Sequence, residues 1–223
     1  MNIEKMFSIP KSFWVSLHFF PLKDALKLPI LVRYNTSLLS LKGKVVAQGG
    51  GVNTAMLSVG FCSVGLYDKK YQRSILQIDG TIELSVDGKV SFGQGARISI
   101  GKNGCVTFKG EFSNTAQMNL CCVDSIKFGS NVVTSWDTLV MDTDWHEVIN
   151  TESGVPSPCT KPVEIGDGVW IGTRAVVLKG SRIPNGCIVG AGSLVTKRYC
   201  EEDCLIAGNP AKVRKQCVTL KRS

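Results

Sequence analysis

From Ile165 to Val195 an aliphatic side chain falls at every sixth position, through Ile171, Val177, Ile183 and Val189. An amphipathic helix repeats at 3.6 residues and a half-buried strand at 2, so neither explains a period of six. The residue four places after each aliphatic is compact (Val169, Ala175, Ser181, Cys187, Ser193), and the residue directly after is Gly166, Gly172, Leu178, Pro184 or Gly190. Such a chain turns a corner every six residues, points one aliphatic side chain inward per face, and needs Gly or Pro where it bends. Three faces close a coil of eighteen residues. Stacked coils lie about 4.8 Å apart, as strands do in any sheet, so like residues form ladders. The expected fold is an all-β, triangular parallel β-helix.

The pattern extends toward the N-terminus in looser form. Ile82/Leu84, Val90/Phe92, Ile98/Ile100 and Val106/Phe108 recur every eight residues, which places two extra residues at each corner. Leu120, Phe128, Thr134 and Val140 return toward six, and His146 occupies the next sixth position, so the coil register runs into a histidine. The stretch 147–162, with Gly154, Pro156, Pro158 and Pro162, is incompatible with a regular coil and should project as a loop. Hexads resume at Val163 or Ile165 and stop after Val195. This divides one structural domain into an aromatic-rich, irregular N-terminal segment (1–75), the prism (76–200) and a C-terminal turn and cap (201–223). A short helix is expected at Leu22–Leu28, between Pro21 and Pro29. Lys212–Leu220 is expected to cover the unpaired edge of the last coil.

With 223 residues, 43% of them hydrophobic, the chain can bury a real core. The net charge of +8 favours an anionic partner such as a nucleotide-bearing donor, an acidic glycan or an anionic membrane surface. Nucleic acid is disfavoured: there is no long Lys/Arg run and no recognised binding signature. Nine cysteines at irregular spacing read as reduced, packing residues of a cytoplasmic protein rather than a disulfide framework. Cys200 with Cys204 is the one spacing suggestive of zinc, but only His18 and His146 are available to complete a ligand set, so no metal is expected. The N-terminus lacks the pattern of a secretory signal. Phe13–Val32 is too interrupted to span a bilayer, though its aromatics and lysines suit either a membrane surface or a packed amphipathic segment.

The string Met141-Asp142-Thr143-Asp144-Trp145-His146, the proline-rich stretch after it, and Ile165-Gly-Asp-Gly-Val-Trp-Ile-Gly-Thr173 resemble the hexapeptide-repeat acetyltransferases, specifically their sugar and polysaccharide O-acetyltransferase branch. The match covers about 120–215. It implies a left-handed coil, against the usual hand of parallel crossovers. It implies acetyl-CoA as acyl donor, a homotrimer with sites at subunit boundaries, and a saccharide or lipid-linked sugar as acceptor. By position, His146 is the general base: a neutral imidazole can take the proton of a sugar hydroxyl as that oxygen attacks the thioester. Asp142 and Asp144 either orient the imidazole or serve as corner residues satisfying backbone amides. Asn119, with Gln117 as competitor, corresponds to an acceptor-contacting position, and Trp145 adjoins the histidine. The donor positions are Trp170, Gly172, Thr173, Ala191, Thr196, Lys197, Lys212 and Lys215. For the lysines the alternative is a solvated basic face, and for the glycines plain corner geometry. His18 reads as structural.

Within the same chemistry an amino sugar, serine or a xenobiotic such as chloramphenicol is an alternative acceptor. Serine acetyltransferases carry a long helical N-terminal domain, which the proline-punctuated start of this chain does not resemble. A zinc hydratase on the same coil requires three histidines per metal and the chain has two. A non-catalytic β-helix scaffold is the alternative of another class.

Overall fold

A computed structural model describes residues 3–68 and 70–220. The chain winds through three parallel sheets that form the faces of a triangular prism. Face A runs from Ile30–Val32 through Leu57–Val59, Val90–Phe92, Phe112–Asn114, Val132–Thr134, Trp170–Ile171 and Ile188–Val189 to Leu205–Gly208 and Ala211–Lys215. Face B runs from Ser37–Ser40 to Leu194–Val195, and face C from Lys44–Gln48 to Arg182–Ile183. Successive coils pair in parallel register, so each inward residue stacks on its counterpart: Leu76 on Ile98 on Leu120, and Trp170 beside Ile188 eighteen residues on.

All six hexad aliphatics are at most 3% exposed, and the compact residues between them are equally buried. The longer coils bury aromatics instead. Phe92, Phe108, Phe112 and Phe128 form one packed group with ring centroids 4.9–6.0 Å apart, Phe108 and Phe128 stacking within 4° of parallel. One buried polar side chain bridges three coils. Asn114, fully buried at the A/B corner, accepts from Gly93 N and donates through Nδ2 to Thr134 Oγ1 and Ser135 O, both at 2.9 Å.

The winding begins at Ile30, not at residue 76: Ile30–Val32 already pairs with Leu57–Val59. The N-terminal segment is not irregular either, since Ile3–Phe19 is an α-helix, α1, with Pro10 inside it. The short helix after it, α2, spans Leu22–Ala25 and ends earlier than Leu28. His18 is structural, its Nε2 lying 2.5 Å from Leu41 O while its ring packs against Trp14 and Phe19. At the far end Ala211–Lys215 pairs antiparallel with Leu205–Gly208 and covers the edge of face A. All nine cysteines are free.

Candidate active site

The regular winding is interrupted once in its upper half. After Leu139–Met141 on face B the chain leaves the wall, and it returns to face C at Val163–Ile165. The excursion is a hairpin. Its stem is closed by Asp144 N to Cys159 O (2.9 Å) and Lys161 N to Asp142 O (3.0 Å), with a Thr143/Thr160 bridge between them, and its tip pairs Val148–Ile149 antiparallel with Pro156–Ser157. His146 sits on the outgoing arm of this hairpin at the B/C corner, exposed, and no described side chain hydrogen-bonds its ring. It is therefore not an inward ladder position. The sixth-position count leads to it, but the register ends at the buried Asp142, and the hairpin carries the imidazole off the wall.

Neither aspartate reaches the imidazole in this chain. Asp142 is fully buried. Its Oδ1 accepts from Val123 N and its Oδ2 from Asp124 N, both at 2.9 Å, with the Cys122 thiol 3.4 Å from Oδ2. This is the corner role, holding the turn of the coil below. Burial first, then the charge of Asp142, pushes the Cys122 thiol far above its ordinary value, so this cysteine is no nucleophile. Asp144 pairs with Lys179 Nζ at 2.5 Å, a lysine the sequence did not single out, whose Nζ also donates to Pro158 O at 2.6 Å. Lys179 thus ties both arms of the hairpin to the coil above. Trp145 follows with φ 63° and is mostly exposed, directing the chain outward just before His146.

The donor positions do not gather around His146. Thr196 and Lys197 share its B/C corner, with Lys197 Nζ 5.2 Å over the Tyr199 ring. Trp170 lies on face A, its Nε1 donating to Ser135 Oγ at 3.2 Å. Gly172, Thr173 and Ala191 lie at the A/B corner, where Thr173 Oγ1 donates to Trp136 O at 2.9 Å. Lys212 and Lys215 are on the strand that edges face A. Face B therefore separates Thr196 and Lys197 from the rest of the set, which lies on face A or at the A/B corner. Gly172 has a packing reason of its own, since a Cβ there would meet Ala191 N and Val189 O at 2.8 Å.

Asn119 is on the wall of face B, in register with Arg97 below and Leu139 above. Gln117 turns the A/B corner with φ 48° and lines a cleft of about 340 Å³ with Tyr71, Arg73 and Arg97. These two arginines were not legible as site residues, because they meet only through stacking of coils twenty-odd residues apart. Above them Tyr67 hydrogen-bonds Asp137 across the same corner. Burial first and then that bond raise its phenol to about 12. A larger cleft, of about 420 Å³, lies on face C between Lys109, Lys127 and Glu164 and is not lined by His146. Among the described residues no group of three or more His, Cys, Asp or Glu is arranged to hold a metal ion, and no helix is long and apolar enough to cross a membrane.

Residues 162–197 match the family of bacterial transferase hexapeptide repeats, the stretch of strict period six. The Escherichia coli (strain K12) protein WbbJ, named for O-acetyl transfer in lipopolysaccharide biosynthesis, is 28% identical over 145 residues, covering 58% of this chain and 73% of WbbJ. A Staphylococcus aureus 2,3,4,5-tetrahydropyridine-2,6-dicarboxylate N-acetyltransferase is 45% identical over 62 residues, and there the match spans about a quarter of the relative (26%). Among solved structures the polysialic acid O-acetyltransferase OatWY superposes with a TM-score of 0.61 over 84% of this chain and 92% of its own, at 22% identity. The polySia-specific acetyltransferase NeuO gives 0.50 over 87% and 84%, at 19% identity. The wound prism is thus the left-handed β-helix.

Proposed function

We propose that the chain is an acyltransferase of the hexapeptide-repeat kind that moves an acetyl group from acetyl-CoA to a hydroxyl of a saccharide or lipid-linked sugar used in surface polysaccharide assembly, with His146 as general base. The observation that carries this is the single upper break in the winding, where a braced hairpin holds an exposed imidazole clear of the wall. The imidazole takes the hydroxyl proton as the sugar oxygen attacks the thioester carbon. The tetrahedral adduct then expels the CoA thiolate, and the imidazolium returns the proton to that sulfur. Mass and charge balance without a metal or a covalent enzyme intermediate.

The division of the site supports a homotrimer. Face B separates His146, Thr196 and Lys197 on one edge from Gly172, Thr173 and Ala191 on the other. Between them an outward ladder of Leu139, Val176 and Leu194 runs in register and is only half buried in one chain. Turning three copies so that these apolar ladders face a common axis buries them and brings the A/B edge of one chain to the B/C edge of the next. Lys212 and Lys215 then flank the donor end, where they suit phosphates. Gln117, Arg73 and Arg97 lie on the opposite side of the histidine's coil and suit an acceptor bearing a carboxylate or phosphate.

The test is CoA release against a panel of sugar, amino sugar and xenobiotic acceptors. His146→Ala should lower turnover by about two orders of magnitude or more, as loss of a general base does, with an unchanged circular dichroism spectrum. Near-normal turnover would contradict the role given to His146, and a wild type that never binds CoA would favour a scaffold.

A further inference from the structure

Helix α1 is built inside out. Ser8, Ser12 and Ser16, spaced four apart, form its buried face together with Val15. Ser12 Oγ accepts from Val32 N at 3.0 Å and lies 3.2 Å from Val32 O, and Ser16 Oγ does the same for Ile30 N and O, each at 3.2 Å. Ser8 Oγ accepts from Tyr34 N at 3.0 Å. Three hydroxyls therefore satisfy alternate residues along and just past the first strand of face A, whose outer edge would otherwise present a row of unpaired groups. The helix lies across the open end of the prism and caps it through polar bonds.

The opposite side of α1 is where an ordinary surface helix would carry its charges. Here it carries Ile3, Phe7, Pro10, Trp14 and Leu17, with Met6 beside them. Phe7 is 65% exposed and Trp14 56%, and Leu22 of α2 and Leu26 just after it extend the apolar surface. A contiguous apolar area of this kind marks an interaction site. The surrounding charge is net positive. Between residues 3 and 27 the only carboxylates are Glu4 and Asp24, and both are paired, with Arg33 at 2.8 Å and Lys27 at 3.1 Å. Lys5 and Lys23 add positive charge, and Lys42 lines an apolar groove with Trp14, His18 and Leu39.

We propose that α1 docks the protein on an anionic membrane surface, lying in the plane of the interface with Phe7, Trp14 and Leu17 in the headgroup–acyl boundary and the lysines against lipid phosphates. Apolar anchors with the exposed cations Lys5 and Lys23 beside them fit that partner. The helix is at the end of the prism, beside the first strand of face B and four coils below Leu139, where the ladder of Leu139, Val176 and Leu194 begins, so assembly through that ladder leaves its outer side free, and three parallel prisms present three such helices in one plane. The prism then stands upright. The coil that bears His146 is the fifth, four stacking steps or about 20 Å above the first, within reach of a sugar chain carried on a lipid. Docking itself does not depend on the chemistry at His146.

The test is sedimentation of the full chain with vesicles of equal phosphatidylglycerol and phosphatidylethanolamine, and with phosphatidylcholine alone. Wild type should bind the anionic vesicles at least tenfold better than the neutral ones, and less at high salt. The pair Phe7→Ser and Trp14→Ser should lower that binding at least tenfold while leaving CoA release with a soluble acceptor unchanged. Absence of binding to anionic vesicles, or binding indifferent to the two substitutions, would overturn the proposal. So would a smaller assembly of the substituted protein by light scattering, which would make the face an interface between copies of this chain.

Discussion

The coils below the hairpin and those above it solve the same packing problem differently. Below, Leu76 and Ile98 are twenty-two residues apart in register, and Val106 and Ile126 twenty; above, the strands between Val163 and Val195 pair eighteen apart on all three faces, as Trp170 and Ile188 do. The extra residues below go into corners, and the interior there takes four phenylalanines, whereas the interior above takes one aliphatic and one compact residue per face. Longer corners let the lower coils fill with large rings and so hold more apolar area per coil. The upper coils have no slack. The hairpin with His146 lies at the seam between the two regimes, where a change of coil length already interrupts the ladder.

That contrast can be attacked from both sides. In the lower coils Phe108→Ala removes the ring that contacts Phe92, Phe112 and Phe128 at once, and should cost about 3–5 kcal/mol by denaturant unfolding. A loss under about 1 kcal/mol would mean that the aromatic group is not the main store of stability. In the upper coils the sensitive positions are the small ones. Gly172→Ala places a Cβ 2.8 Å from the backbone of the next coil, and should cost about 1–3 kcal/mol because the obstacle is main chain with no room to yield. A neutral result would show that the upper coils can slide, and would remove the claim that they lack slack.

Legibility in the sequence follows the same division. Period six was readable because every inward position of the upper coils must be aliphatic or compact, and the looser period of eight located Ile82 to Phe108 correctly inside. Helix α1 was not readable. Its buried side is serine and its exposed side is apolar, the reverse of the pattern that reveals a surface helix, and Pro10 argues locally against a helix at all. The first coil was missed for a related reason, since its strands are three to five residues long and the edge that begins it is completed by hydroxyls. At the site, the break marked His146, but the two edges of face B cannot be told apart without counting corners. The donor positions therefore read as one cluster when the fold separates them. Asp142 and Asp144 were readable as polar groups near the histidine; that one is spent on a buried turn and the other on Lys179 depends on coils that are distant in sequence.

The central claim is that one chain holds half of each site. Mixed assemblies test it directly: His146→Ala blocks the B/C edge, and Ala191→Trp, at an exposed position, blocks the A/B edge. Each variant alone should be inactive, while co-assembled subunits should recover a substantial fraction of wild-type CoA release, because some boundaries then join an intact histidine edge to an intact donor edge. Mixed assemblies no more active than the separate variants would contradict a site shared between subunits.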